Sequence, residues 1–558
     1  MCNLVAYISY LQKTSKKRKK KRVGVNELQT ESGTPIKLTQ RRFTSNLERI
    51  KRKKRSTKNN KRKTKLLNID HFRSEYGPVL GPFVTEFCTM TMMSKLKKRV
   101  NYTSYQKWLS SNVLVTSGGS GYASFRKMFH TPCVKTLKDY IYRIKCGPGL
   151  HPVNVHTLKT KMNSKKDHEK LCWLMMDEIK LRTGLHFCSK NDKIVGFCDD
   201  GNRRTQDLAN NCLVIQICGL TRRWKHCIAF YLSKSTFKSD KLKEILIESI
   251  HLVEKVGFEI LGVTSDQGVN FEQLFDSRLN VTEFNPKFSI GKKEYLVYRD
   301  VPHLLKSARN YLYNGNVNVP YMKHAARWEH IKDLLEVVEC DALRMAPKLN
   351  RENVENLNFA SKMKVKHACN VLSNTVAASL EVLVSENKMT KEVLSTSKYC
   401  KTFNDLFDVM NSCTSLDSVP LRRPLTAESE GEVVLVEALN WLHELENCNK
   451  GNRHKTKFIK GFRQSIRVVQ LLLEEFQKRN LHYLSTRRLC QDLLEAYFGK
   501  IRSITTNPTP HEFIDDFAKV NVASLMTAPL NSNCEEKESL EQTGETLRLL
   551  DNVSEKLL

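Results

Sequence analysis

Two stretches decide the fold: LCWLMMDEIK, from Leu171 to Lys180, and FEILGVTSD, from Phe258 to Asp266. Each is an apolar run of strand length, continuous enough to predict a strand buried on both faces. Each apolar run closes on an aspartate, Asp177 in the first and Asp266 in the second. A buried carboxylate without a partner or a cation is costly, and strand ends are where a sheet offers side chains to ligands. A third acid, Glu495, lies in QDLLEAYFGKIR, where Leu489, Leu493, Tyr497 and Ile501 make an apolar helical stripe. Asp492 stands three residues before Glu495 and so shares its helical face. Two strand-end carboxylates and one from a distant helix form an all-oxygen donor set, which suits Mg²⁺ or Mn²⁺ rather than zinc, in phosphoryl transfer. Taken singly, Asp177 and Asp266 read more readily as turn residues and Glu495 equally well as part of a solvated helix edge; the set carries the reading.

Around these stretches the pattern predicts a mixed sheet with helices on its faces. CLVIQICGL and HCIAFYLS extend the sheet, GLHFCSK and KIVGFCD form a hairpin around Asn191 and Asp192, and KEYLVYRD adds a last strand. A helix from Asp240 to Val256 precedes the second aspartate-bearing strand. Strands first, then alternating strands and helices, is the order expected of a ribonuclease H-like α/β core. Asp300 followed by Pro302 reads as a helix cap with proline in the first turn. His303, Lys306 and Arg309 then fall on successive turns, a cationic face that could grip DNA phosphates beside the acids.

The net charge is +33, and the first 65 residues hold 22 Lys/Arg against 3 Asp/Glu. Such an excess favours phosphate polymers without sequence preference, so nucleic acid is the expected partner. The clusters Lys16, Lys17, Arg18, Lys19, Lys20, Lys21 and Arg22, and Lys51, Arg52, Lys53, Lys54 and Arg55, the latter running on to Lys65, read as nuclear-import signals within a disordered arm. No apolar run reaches about 18 residues, so no membrane span is expected. The 17 cysteines are scattered through apolar patterns, as reduced thiols of a nuclear or cytosolic protein would be.

The expected organisation is a basic arm over 1–66, a helical region over 67–165, a first core part over 166–310, a helical insertion over 311–480, a returning core helix over 481–525 and an acidic tail over 526–558. Within the helical region, GYASFRKMFHTPCVKTLKDYIYRI aligns Tyr122, Phe125 and Phe129, breaks at Thr131 and Pro132, and then aligns Leu137, Ile141 and Ile144. This spacing fits a helix-turn-helix presenting Lys127, Lys135 and Lys138 to DNA, and it fits an ordinary helical hairpin equally well. The preceding TSGGSG lacks a Lys-Ser/Thr continuation and reads as a linker.

Taken in order, LMMDEIKLRTGLHFCSKNDKIVGFCD, VTSDQGVNFEQLF, YRDVPHLLKSARNYL, KTFNDLFDVMNSC, FIKGFRQSI, STRRLCQDLLEAYFGKIR and NPTPHEF resemble the P-element and THAP-domain transposases from about residue 120 to 520. The resemblance implies a ribonuclease H-like core interrupted by a helical insertion domain and a Mg²⁺-dependent DDE-type site that cleaves and joins double-stranded DNA as an oligomer. It carries the three acids onto Asp177, Asp266 and Glu495, with Asp492, Asp300 and His303 in support. It also implies GTP, although neither a Walker loop nor an NKxD motif is present. The zinc-binding THAP module, built from three Cys and one His, has no counterpart before Cys88 beyond Cys2, and IRSITTNPTP replaces the family's paired glycines. Alongside an active transposase, a catalytically inactive, host-adopted copy that only binds DNA or chromatin therefore stands as the alternative.

Overall fold

A computed structural model describes residues 69–525 of the protein, apart from 82, 97–98, 143–146, 151–165, 189–191, 341–343, 356 and 452–455. Both basic clusters, the acidic tail and Ile144 lie outside the described residues. Two compact units divide at Glu75 and Tyr76, and everything below concerns the second.

Five strands carry the centre of the fold: β1 (Leu171–Lys180), β2 (Asn211–Gly219), β3 (Lys225–Ser233), β4 (Glu259–Ser265) and β5 (Lys293–Arg299). Their spatial order is β3-β2-β1-β4-β5, with β2 antiparallel to both of its neighbours, β1 and β3, and with β4 and β5 parallel to β1. This is the ribonuclease H-like mixed sheet expected from the sequence. Short strands extend it at both edges: Lys287–Ile290 beyond β5, and Gly149–Leu150, Phe197–Asp199 and Arg204–Leu208 beyond β3. The expected hairpin pairs His186–Cys188 with Lys193–Val195, and Asp192 at φ 51° takes the left-handed turn position that Asp tolerates.

Because side chains alternate along a strand, β1 feeds two separate cores. Cys172, Leu174 and Met176 pack with Leu242, Leu246 and Ile250 of α3 (Ser239–Lys255). Trp173, Met175 and Ile179 face a larger core shared with α4 (Val301–Tyr313) and with a helical block that includes α5 (Glu329–Cys340), α6 (Asn374–Ser385), α7 (Leu394–Met410) and α8 (Glu430–Cys448). The long helix α9 (Lys457–Lys478) is zipped onto β5, where Ser465 Oγ accepts from Arg299 N (3.0 Å) and Gln464 Nε2 donates to Val297 O (2.9 Å). Gly461 lets α9 approach α4, since a Cβ there would stand 2.4 Å from Leu304. Two last helices, α10 (Asp492–Ile504) and α11 (Pro510–Leu525), close the same face, with Phe513 and Phe517 against Phe230 of β3.

The N-terminal helices α1 (Ser104–Met128) and α2 (Val134–Tyr142) dock on α11 through Trp108, Leu109, Ile141 and Ala518. They meet at the expected break, where buried Tyr122 donates to Pro132 O (2.7 Å), and Lys127, Lys135 and Lys138 are exposed. TSGGSG is not a linker: it lies inside α1, which kinks at Gly118 (φ 69°). The hydroxyls of Thr116 and Ser117 bond back to Asn112 O and Val113 O, and buried Leu114, Val115 and Tyr122 hold the helix on both sides. Val365–Ser385 has the length and hydropathy of a membrane span. It is broken between Val371 and Asn374, however, and buries Val371, Val376, Leu380 and Leu383 in the main core. Thirteen of the cysteines among the described residues are free thiols.

Candidate active site

Register places the first two acids side by side. Met176 of β1 pairs with Ser265 of β4 in parallel register, so Asp177 and Asp266 are the next residues on adjacent strands. Thr264 Oγ1 accepts from Trp173 Nε1 (2.7 Å), which puts Thr264 and Trp173, and by alternation Asp266 and Asp177, on the face of the larger core. In one respect the sequence expectation is corrected: Asp177 does not end its strand. β1 continues to Lys180, with Asp177 opposite Val214 of β2, because Ile179 is buried further along the same face. Asp266 does follow the last residue of β4, and its Oδ1 accepts from Gly268 N (2.9 Å).

Glu495 reaches this face because the chain entering α10 is bolted to the strand ends. Thr264 Oγ1 donates to Leu489 O (2.6 Å), Gln491 Nε2 donates to Met176 O (2.7 Å) and Gln491 N donates to Asp300 Oδ1 (2.7 Å). Gly262 provides the space for Trp173 in this chain of contacts, as a Cβ would lie 2.3 Å from the indole ring. Asp492 and Glu495 fall in the first turn of α10, where the helix dipole favours carboxylates. Glu495 is exposed and Asp492 half-buried, with Arg487 Nε 3.4 Å from its carboxylate.

Asp300 is the N-cap of α4, with Pro302 in the first turn, as read from the sequence. Its Oδ2 accepts from His303 N (3.2 Å) and lies 2.5 Å from His303 Nδ1, while its Oδ1 holds Gln491. Burial alone would lower the His303 pKa, but the bond to Asp300 prevails and raises it. The cationic face expected of α4 is not a surface. Lys306 is 6% exposed and lies within electrostatic reach of Glu495, Asp300, Asp177 and Asp266; burial nevertheless lowers its pKa. Arg309 is fully buried, donating to Lys362 O (2.8 Å) and Asn310 Oδ1 (2.9 Å), so it is not available to a DNA phosphate. Helix α4 is enclosed on nearly all sides, leaving no solvent face for these residues to share.

The electrostatics of the group are those of acids short of positive charge. Burial first, and the neighbouring carboxylate of Asp266 second, push the Asp177 carboxyl up to about 7, with Glu495 adding to the effect. Burial and Asp300 raise Asp492, against Arg487. Among the described residues, no three carboxylate, imidazole or thiol groups converge tightly enough to cage an ion in their present positions. The donor chemistry nevertheless fits a hard divalent cation: three carboxylates under mutual repulsion, two fixed by strand register and one by a tethered helix.

The latch made by Thr264, Leu489 and Gln491 was missed by sequence reasoning. Its one visible signal is a threonine inside an otherwise apolar buried strand; nothing in the spacing points to Gln491.

Comparison with known proteins gives matching results. Residues 146–277 match the family described as TNP-like, RNase H N-terminal domain, and residues 302–422 match that described as TNP-like, GTP-binding insertion domain. The chain is similar to the Transposable element P transposase of Drosophila melanogaster, 26% identical over 414 residues, which is 72% of this chain and 51% of that protein. It thus spans about half the length of that curated relative. Among solved structures it is similar to the Drosophila P element transposase strand transfer complex, with a TM-score of 0.66 and 23% identity over 78% of this chain and 95% of the other.

Proposed function

From the matches to the TNP-like RNase H and GTP-binding insertion families and the similarity to the P transposase, we propose that this chain is a P-element-type DNA transposase whose carboxylates Asp177, Asp266 and Glu495 direct divalent-cation-dependent cleavage and strand transfer. The observation that carries this reading is the register that sets Asp177 beside Asp266, with the start of α10 tied to those same strand ends. Bound there, Mg²⁺ or Mn²⁺ would polarise the scissile phosphate and lower the pKa of an attacking hydroxyl. The remaining roles fall to the chain itself. Asp300 holds His303 and the Gln491 backbone, and Gln491 holds β1, so the three acids keep their relative places. Lys306 offsets their charge from within.

Exposed Lys127, Lys135 and Lys138 are proposed to meet the DNA backbone outside the site, Arg309 taking no part. Nuclear accumulation through the two basic clusters, and assembly of more than one copy on DNA, belong to the same reading. GTP is proposed on the strength of the matched insertion-domain family. Within that segment Asn411 Oδ1 is buried without a hydrogen-bond partner among the described residues, and the nearby Asp408 carboxylate is paired with Arg422 Nε (3.0 Å).

The test is incubation of the full chain and Mg²⁺ with DNA bearing the terminal repeats of its own element. Wild type is expected to nick and join the ends, and Asp177→Ala and Glu495→Ala to do neither. Equal products from all three proteins would overturn the assignment.

A further inference from the structure

One cation beside the acids is buried without a partner. Lys306 of α4 is 6% exposed, yet among the described residues its ammonium makes neither a hydrogen bond nor an ion pair. The other cations of this neighbourhood are all engaged: His303 with Asp300 (2.5 Å), Arg487 with Asp492 (3.4 Å) and Arg309 with the carbonyl of Lys362 (2.8 Å). A desolvated ammonium that touches no acceptor costs free energy. Its flexible stem would ordinarily let it swing onto a nearby carboxylate.

The helix that carries Lys306 is fixed on either side of it. At the N-cap, Asp300 Oδ1 accepts from Gln491 N (2.7 Å), which ties α4 to the entry of α10. One residue past Lys306, Ser307 Oγ donates to Oε1 of Gln267 (3.2 Å), the residue that follows Asp266. Helix α9 presses on the same stretch at Gly461 and Leu304. Lys306 thus sits between a tie to the helix of Glu495 and a tie to the loop of Asp266, and it feels Glu495, Asp300, Asp177 and Asp266 without contact with any of them. An ammonium placed this way has two effects of opposite sign. It repels a dication that comes to the carboxylates, and it attracts an anion that comes to the same place.

We infer that Lys306 makes cation uptake by the three acids depend on DNA: weak in the free chain, and tight once a DNA phosphate has met the Lys306 ammonium and offset its repulsion. The inference rests on the transposase reading, but its readout is cation binding and not cleavage. Electron paramagnetic resonance of the full chain would follow Mn²⁺ binding with and without a duplex ending in the repeat of its own element, after subtraction of the Mn²⁺ held by that DNA alone. In wild type the duplex is expected to tighten Mn²⁺ binding roughly 5- to 150-fold. Lys306→Met, neutral and of similar length, should bind Mn²⁺ at least about 5-fold more tightly than wild type without DNA, and gain less from the duplex. Lys306→Arg, which keeps the charge, should keep the wild-type difference. Equal wild-type affinity with and without the duplex would overturn the inference whether or not the variants fold. So would a free-chain affinity of Lys306→Met no higher than that of wild type, or a Lys306→Arg that behaves as Lys306→Met does, since packing rather than charge would then be at work. Wild type that takes up no Mn²⁺ through Asp177, Asp266 and Glu495 even on DNA would sink the cation reading itself, whereas uptake through those acids that ignores Lys306 would sink this inference alone.

Discussion

The two faces of the central sheet are covered by chain of different origin. One face is closed locally: α3 runs between β3 and β4 and buries Leu242, Leu246 and Ile250 on the alternate residues of those same strands. The other is closed from a distance, by α4, by the helical block and by α10, which arrives more than 200 residues after β4. The acids stand on the second face. A local face can be built for stability alone, whereas the distant one, in the reading proposed here, has to bring Glu495 to Asp177 and Asp266 and hold it there through Leu489 and Gln491.

The largest effect that would break this division is on chemistry. Asp177→Ala or Glu495→Ala should lower Mg²⁺-dependent DNA cleavage by on the order of 10³-fold or more without lowering the urea midpoint below that of wild type. Leu246→Ala on the local face should do the reverse. It removes about 2–5 kcal/mol of stability in urea titrations, and cleavage per folded molecule is retained. If Leu246→Ala altered the reaction itself, the faces would not be separable.

Smaller effects sharpen the comparison. Gln491→Leu keeps roughly the volume but removes the bond to Met176 O and should cost roughly 10- to 100-fold in cation affinity, as read by calorimetry. The last effect is a slope with pH. The Asp177 carboxyl, raised from 3.8 to about 7, holds its proton more tightly in the folded chain than in the unfolded one. Without a divalent cation its contribution to stability is therefore fullest below about pH 4 and is lost as pH rises through about 7. Thermal melts in EDTA across that range should show the decline, and Asp177→Asn should flatten it.

The sequence made the local face legible almost completely. Buried strands announce themselves as apolar runs, and α3 falls where its periodicity places it. Asp177 and Asp266 were legible as acids interrupting or closing those runs, and Asp300 as a cap. What could not be read depends on contacts far apart in the chain. The lysine and arginine of α4 were assigned to a DNA-facing surface because their spacing puts them on one stripe; periodicity does not say that the stripe is covered, by the acids at Lys306 and by the backbone of Lys362 at Arg309. TSGGSG has the composition of a linker, yet tertiary packing at Leu114 and Tyr122 carries the helix across it. Gln491 has no local signature, since its partners lie 315 and 191 residues away.

The central claim is that two strand acids and one acid from a distant helix form a single cation centre. Mn²⁺ titration of the full chain at pH 8, followed by electron paramagnetic resonance, tests it most directly. Wild type is expected to take up Mn²⁺ in a state that Asp177→Asn, Asp266→Asn and Glu495→Gln each lose, with Leu246→Ala binding as wild type does. Undiminished binding by Glu495→Gln would contradict the account, because the distant helix would then contribute nothing to the centre it is tied to.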